Sequence, residues 1–135
     1  MVKMSMVYEG DLRCRLTHGP SGDEILTDAP VDNHGKGEAF SPTDLMAAAL
    51  GSCMLTVMGI AARKNNVSMD GTTADVEKEM VTAPVRRVGK ITVMIRMAAG
   101  IDPVKRSILE NAAHTCPVHK SMHPGVQIAV NFIYQ

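Results

Sequence analysis

Two of the three cysteines stand in sequence contexts that suit redox chemistry. Cys53 lies in the most apolar stretch of the chain, and Cys116 stands directly before Pro117, a residue that breaks a helix. A thiol within a buried helix and a second thiol at a helix break are able to face one pocket. Such a pair suits a thiolate that attacks an oxidant and a second thiol that resolves the product. The sequence therefore predicts a working pair of thiols.

Both cysteines also have a structural explanation. A cysteine in an apolar helix is most often inert packing, because burial disfavours the thiolate. To react, Cys53 needs a cation or hydrogen-bond donors from elsewhere in the chain. Arg13 and Arg15 are the candidates, and the alternative is that both are solvated strand residues. If Pro117 begins a short helical turn, Cys116 becomes its N-cap, where backbone N–H groups favour the thiolate.

A histidine cluster offers a competing interpretation as a metal site. Within ten residues the chain places three histidines and one cysteine: His114, Cys116, His119 and His123. A structural zinc site requires four well-placed ligands, and the prolines at 117 and 124 constrain this segment. We therefore expect no metal ligands here and keep a structural zinc protein as an alternative hypothesis.

Composition limits the class of protein. A chain of 135 residues fits one domain, 1–135. Its 14 basic and 14 acidic residues balance, which argues against a nucleic-acid partner held by a positively charged surface. Three cysteines without a secretion signal predict a reducing, cytoplasmic setting. The apolar run 45–62 is long enough for a membrane span, but its small and polar residues favour a buried central helix and no membrane partner.

Periodicity predicts an α+β domain. Alternating residues over 2–8, 12–17 and 24–27 predict an antiparallel β meander, with Cys14 beside Leu12 and Leu16 in the core and without a role. Ser41 and Pro42 predict a helix start, and this helix extends to about Asn65. Strands are expected over 72–80, 90–97 and 126–132. A second helix follows Asp102 and Pro103, ends before Pro117, and carries an apolar stripe at Val104, Ile108 and Ala112.

The long helix is apolar nearly all round, so it must be covered on several sides. One small sheet covers one side only. The pattern therefore predicts a second copy of the chain packed on this helix.

Two motifs resemble those of the OsmC/Ohr family, the osmotically inducible and organic hydroperoxide resistance proteins. Residues 41–45 (SPTDL) with 48–53 (AALGSC) are similar to the first cysteine motif, and residues 113–118 (AHTCPV) to the second. The resemblance implies an intertwined α+β homodimer with an OsmC-like fold: an antiparallel β meander, a long buried central helix and a second helix. It also implies reduction of organic hydroperoxides by Cys53 as peroxidatic thiol and Cys116 as resolving thiol. No bound cofactor is expected, and an external dithiol, in some members a dihydrolipoyl group, serves as reductant.

The resemblance further implies that an arginine of the meander stabilises the thiolate. Arg13 is the first candidate for this role and Arg15 the second. In peroxidase members a glutamate ten residues before the first cysteine pairs with that arginine, but this chain has Thr43 there. Either Asp44 or Glu38 substitutes, or the chain represents a divergent branch with weak activity. The alternative function is a binding protein of the same fold, with little or no catalysis, for an apolar or sulfur-containing small molecule.

Overall fold

The computed structural model describes all 135 residues, which divide into two units, residues 1–46 and 47–135. In chain order the elements are β1 (Met4–Gly10), β2 (Arg13–His18), β3 (Glu24–Asp28), α1 (Pro42–Lys64), β4 (Thr73–Val81), β5 (Arg87–Arg96), α2 (Pro103–Ala113), α3 (Pro117–Ser121) and β6 (Gln127–Ile133). Helix α1 begins in the first unit and continues into the second. The predicted α+β class is confirmed.

The first unit contains the predicted meander. Strands β1, β2 and β3 are antiparallel neighbours in that order. One expectation was wrong: Leu12 lies in the β1–β2 turn, not in a strand of the core, and it is exposed. Both turn residues, Asp11 and Leu12, have positive φ, so this tight turn includes Leu12, which the alternating pattern assigned to β2. Cys14 is half-buried.

The loop between β3 and α1 folds back on the end of β3. Backbone hydrogen bonds join Asp28 N–H to the Phe40 carbonyl and Gly35 N–H to the Pro30 carbonyl. A Cβ atom at Gly35 would lie 1.6 Å from the Ala29 carbonyl oxygen, so only glycine permits this approach. The loop is thereby held in a defined path beside β3.

Helix α1 begins and ends within a residue of its predicted bounds. The Ser41 hydroxyl accepts the Asp44 N–H, and the Asp44 carboxylate accepts the Ser41 N–H, which is a reciprocal N-terminal cap. By length and composition α1 is also able to span a membrane, with 33% of its most apolar window buried. The core helix of a soluble protein has the same properties.

The second unit is a three-stranded sheet with helices. Strand β5 lies between β4, which is antiparallel to it, and β6, which is parallel. The parallel pairing is possible because α2 and α3 form the long connection from β5 to β6. Fully buried side chains from α1, β5 and α2 form its core: Leu50, Met54, Met58, Ile91, Val93, Ile95 and Leu109.

Helix α2 starts as predicted, with the Asp102 carboxylate accepting the Val104 N–H at 3.0 Å and Pro103 in the first turn. The predicted apolar stripe was wrong. Val104 and Ile108 are exposed, and Leu109 and Ala113 are the buried residues of this helix. Because the two sets lie one residue apart, the helix is rotated by about 100° from the orientation that we expected.

Candidate active site

The structure brings the two predicted thiols together. Cys53 lies at the middle of α1 and is half-buried, whereas Cys116 is completely buried at the start of α3. The Cys116 thiol lies close enough to Cys53 for each thiol to influence the ionisation of the other. Burial raises the pKa of Cys116, as does the proximity of Cys53, while the backbone N–H groups of His119 and Val118 oppose the rise. The pair therefore consists of one accessible thiol and one buried, neutral thiol.

Helix α3 fixes the buried member of the pair. Cys116 is its N-cap, and Sγ accepts the His119 N–H at 3.5 Å. Pro117 occupies the first helical position, where its missing N–H has no cost. The conditional prediction that Cys116 caps a short helix after Pro117 is confirmed. One side chain thus serves as both helix cap and partner of Cys53.

In the first unit, Arg13 forms a second candidate group with two carboxylates. Its Nε donates to Asp28 Oδ1 at 2.8 Å, and its Nη2 donates to Asp28 Oδ2 at 2.8 Å and to Glu38 Oε2 at 3.1 Å. Hydrogen bonds and charge from Asp28 raise the pKa of Arg13, and Arg13 in turn lowers the pKa of Asp28. Arg13 is therefore charged and held by two acceptors.

The other candidates lie elsewhere in the first unit. Arg15 donates to Glu9 and Glu24, each at 3.0 Å, in an ion group in which all three side chains contact solvent. The Asp44 carboxylate caps α1. Of the four charged candidates, the structure therefore brings Arg13 and Glu38 into contact, and it places Arg15 and Asp44 in other groups.

The histidine cluster does not converge on a metal site. No group of three or more histidine, cysteine, aspartate or glutamate side chains is placed to hold a metal ion. The His114 ring packs edge-on against Phe132, with ring centres 6.2 Å apart, and His123 Nδ1 accepts the Gly125 N–H. Burial lowers the pKa of His119, an effect that the nearby Lys120 and His114 enlarge. The zinc hypothesis therefore finds no set of ligands here.

The OsmC-like protein family matches residues 35–131 of this chain, a range that contains both thiols. The chain belongs to the OsmC-like family. The matched range also includes Glu38, which contacts Arg13, and the helices α1 and α3, which position Cys53 and Cys116. No protein of curated function matches the sequence.

Solved structures agree with the OsmC-like assignment. A Psychrobacter arcticus protein, provisionally assigned to osmotic stress and detoxification responses, is 48% identical with a TM-score of 0.92 over 98% of this chain and 96% of that chain. The organic hydroperoxide resistance protein OsmC of Legionella pneumophila is 12% identical (TM-score 0.78; 98% and 96% covered). OhrB of Bacillus subtilis is 18% identical (TM-score 0.70; 98% and 97% covered). The predicted family and fold are confirmed.

Sequence reasoning missed Asp28. The predicted strand ends at residue 27, so the pattern leaves Asp28 in the following loop, where a lone aspartate is usually a turn former. In the structure it is the last residue of β3, directly opposite Arg13 in the strand register, and only 2% exposed. The available signal was the alternating pattern of 24–27 extended by one residue, which makes Asp28 the last residue of β3 but does not give its partner on β2.

Proposed function

We propose that this OsmC-like protein is a cysteine-based thiol peroxidase that reduces organic hydroperoxides. The observation that supports this function most is the proximity of the half-buried thiol of Cys53 to the buried thiol of Cys116. An accessible sulfur suits attack on a peroxide, because the oxidant must reach it. A buried neutral thiol close to the first thiol suits the second step, because it lies near the oxidised sulfur.

The reaction proceeds in three balanced steps. The Cys53 thiolate attacks the terminal peroxide oxygen, the O–O bond breaks, and the alkoxide leaves and takes up a proton as alcohol while Cys53 becomes a sulfenic acid. The Cys116 sulfur then attacks the Cys53 sulfur, forming a disulfide and releasing water. An external dithiol, of which a dihydrolipoyl group is the proposed example, reduces the disulfide and is itself oxidised. The hydroperoxide is the oxidant of this cycle and the dithiol is its reductant.

We assign to Arg13 the stabilisation of the Cys53 thiolate that the family resemblance implies for an arginine of the meander. A guanidinium stays charged at any physiological pH and offers several donors to an anion. The contact between Arg13 and Glu38 supports Glu38 over Asp44 as the carboxylate partner, since Asp44 is engaged in capping α1. Arg15 remains a second candidate.

The setting that suits this chemistry is the cytoplasm, because a dithiol cycle requires a reducing pool. We also propose a homodimer, which the half-exposed apolar residues of α1 support. Proposed partners are a second copy of the chain, an organic hydroperoxide and a thiol reductant, without nucleic acid or membrane.

The test is to titrate the reduced protein with cumene hydroperoxide and to measure the number of free thiols and the intact mass of the chain. We expect loss of two thiols and two mass units per chain, faster than with hydrogen peroxide. Cys53→Ser should lower the rate by at least about a hundred-fold. Cys116→Ser should still react once, leaving a sulfenic acid that dimedone traps.

Cys14→Ser is the matched control, because it removes the third thiol and leaves the pair in place. It should react like the wild type. Undiminished peroxide consumption by folded Cys53→Ser would contradict the proposal.

A second candidate is a binding protein of the same fold for an apolar or sulfur-containing molecule. Thr43 in place of the helix glutamate favours it, as does a cleft of about 380 Å³ along α1 and β4, lined mainly by small and apolar residues: Ala48, Gly51, Ser52, Leu55, Thr56, Ala74 and Val76. This function predicts that native thiols resist peroxide and that a small molecule copurifies, which native mass spectrometry detects.

A further inference from the structure

The proposed cycle leaves one proton without an acceptor. Cys116 is buried and neutral in the reduced protein, so its thiol must lose a proton when the sulfur attacks oxidised Cys53. The groups that influence the ionisation of Cys116 are Cys53 and the backbone N–H groups of His119 and Val118. An N–H group donates and takes up no proton, and oxidised Cys53 no longer carries a thiolate. The step therefore requires a separate acceptor close to Cys116.

His119 is held beside Cys116 by the first turn of α3. Cys116 is the N-cap of this helix and His119 is its third residue, and Cys116 Sγ accepts the His119 N–H at 3.5 Å. Side chains three positions apart on a helix are neighbours, with Cβ atoms about 5–6 Å apart. The Cys116 sulfur therefore lies next to the point where the His119 side chain leaves the backbone.

The imidazole of His119 has a buried nitrogen without a partner. Nδ1 is buried and makes no hydrogen bond within the chain, although the residue as a whole is only half-buried. A side chain at the third helical position often accepts the N–H of the N-cap residue, but the Cys116 N–H already donates to the Ala113 carbonyl at 3.3 Å. A buried polar atom without a partner costs stability, so its presence calls for an explanation.

The surroundings of His119 keep its imidazole neutral. The titratable groups that face it are Lys120 and Cys116 on α3 and His114 at the end of α2. Burial lowers the pKa of His119, and the positive charges of Lys120 and His114 lower it further. In the tautomer that carries its proton on Nε2, a neutral imidazole offers the lone pair of Nδ1 as an acceptor. The nitrogen that the fold leaves unpaired is thus able to take up a proton.

We infer that His119 accepts the proton of Cys116, through Nδ1, when the resolving thiol attacks. The Cys116 sulfur forms a bond to the Cys53 sulfur, and the S–O bond of the sulfenic acid breaks. The departing hydroxide takes the proton from the imidazolium and leaves as water, so His119 is neutral again at the end of the step. The inference rests on the proposed function, specifically on Cys116 as the resolving thiol.

The experiment follows disulfide closure without any peroxide. The parent protein is the full-length reduced chain with Cys14→Ser, which removes the third thiol. Dithiodipyridine, an aromatic disulfide, reacts with Cys53 to give a mixed disulfide and one thiopyridone. Cys116 then attacks the Cys53 sulfur and releases a second thiopyridone, and this step requires the same loss of a proton from Cys116. Stopped-flow absorbance measures both releases, and Cys116→Ser should lack the second.

His119→Asn should affect the second release alone. Asparagine keeps a polar group on a side chain of similar reach, but it takes up no proton near neutral pH. We expect the first release to stay within about two-fold of the parent protein and the second to be about a hundred-fold slower at pH 7. Free imidazole added to His119→Ala should restore part of the rate of the second release.

The pH dependence of the second release separates proton transfer from a structural role. In the parent protein its rate should level off above about pH 7, where His119 is neutral. In His119→Asn the rate should rise by about ten-fold per pH unit up to the pKa of Cys116, because only a thiolate that has already formed then attacks. A change that merely displaced α3 would slow the release without this change of profile.

His123→Asn is the matched control. His123 belongs to the same group of histidines, but its Nδ1 already accepts the Gly125 N–H at 2.9 Å. Both releases and their pH profiles should stay at the level of the parent protein. If His119→Asn fails to fold by circular dichroism, His119→Gln carries the test, and the same slow, pH-dependent second release is expected.

The outcomes distinguish this inference from the proposed function. An unchanged second release in the folded His119 variant overturns the inference, and so does a slower release with the pH profile of the parent protein. Equal effects of the His119 and His123 variants, or a parent protein that shows no second release, overturn it as well. If the parent protein does not react with cumene hydroperoxide but its second release depends on His119 with the expected change of pH profile, the inference stands and the proposed function fails.

Discussion

At the scale of single residues, the two thiols differ in the property that decides their roles. Cys53 is partly accessible, whereas Cys116 is fully buried and its pKa is raised chiefly by that burial. A buried neutral thiol is a poor first nucleophile, because only the thiolate attacks. The same burial protects Cys116 from oxidation until Cys53 has reacted. This asymmetry is why we assign attack to Cys53 and resolution to Cys116.

The raised pKa of Cys116 predicts a specific pH dependence of stability. Because the native state favours the neutral thiol, the stabilisation is complete below the ordinary cysteine pKa of about 8.5 and is lost as the pH rises through the raised value. We expect the free energy of unfolding of the reduced wild type to fall relative to that of Cys116→Ser above about pH 8.5. Urea denaturation at several pH values measures the difference. If the free energy of unfolding depended on pH in the same way in the two proteins, the raised pKa of Cys116 would be contradicted.

At the scale of elements, the start of α1 is a capping motif. Ser41 is 1% exposed, and its hydroxyl and N–H exchange hydrogen bonds with the N–H and carboxylate of Asp44. Two donors at the helix start are satisfied in this way, and the negative charge complements the helix dipole. Capping of α1 is therefore one role that the structure gives to Asp44.

This geometry predicts that Asp44→Ala acts on stability rather than on chemistry. Loss of the cap should lower the free energy of unfolding by about 1 kcal/mol. Alkylation of Cys53 and peroxide consumption, both per folded molecule, should stay within about two-fold of the wild type. Thermal denaturation and the peroxide assay measure the two effects. A large loss of activity in folded Asp44→Ala would instead place Asp44 in the catalytic group.

At the scale of the whole molecule, the chain leaves apolar surfaces uncovered in each unit. In the first unit Met4, Met6 and Tyr8 alternate on β1 and are all exposed. In the second unit Ile60 of α1 is 52% exposed. The row of three side chains on β1 is a continuous apolar face, and such a face marks an interaction site. These features support the homodimer that the helix pattern predicts.

We expect light scattering after size exclusion to give twice the chain mass of 14.5 kDa. Ile60→Glu should weaken self-association by at least about ten-fold, because a charge would have to be buried in the interface. Val104→Glu is the control, since Val104 is an exposed apolar residue on α2 rather than on α1. A monomeric wild type at micromolar concentration would contradict the prediction.

Local rules within the sequence determined much of this protein. Ser41 and Pro42 indicated the start of α1, and Asp102 and Pro103 indicated the start of α2. The alternating residues indicated the β1–β3 meander. These signals are readable because caps, prolines and period-two patterns act between near neighbours. The two cysteine motifs indicated the family for the same reason, since each is a short continuous segment.

Only the tertiary structure decided which distant residues meet. It placed Cys116 near Cys53 although 63 positions separate them in the chain, rotated α2 so that Leu109 rather than Ile108 is buried, and set Asp28 across from Arg13. None of these follows from local pattern, because strand register and helix rotation depend on how complete faces pack. A shift of one residue in β3 would have directed the Asp28 side chain to the opposite face of the sheet.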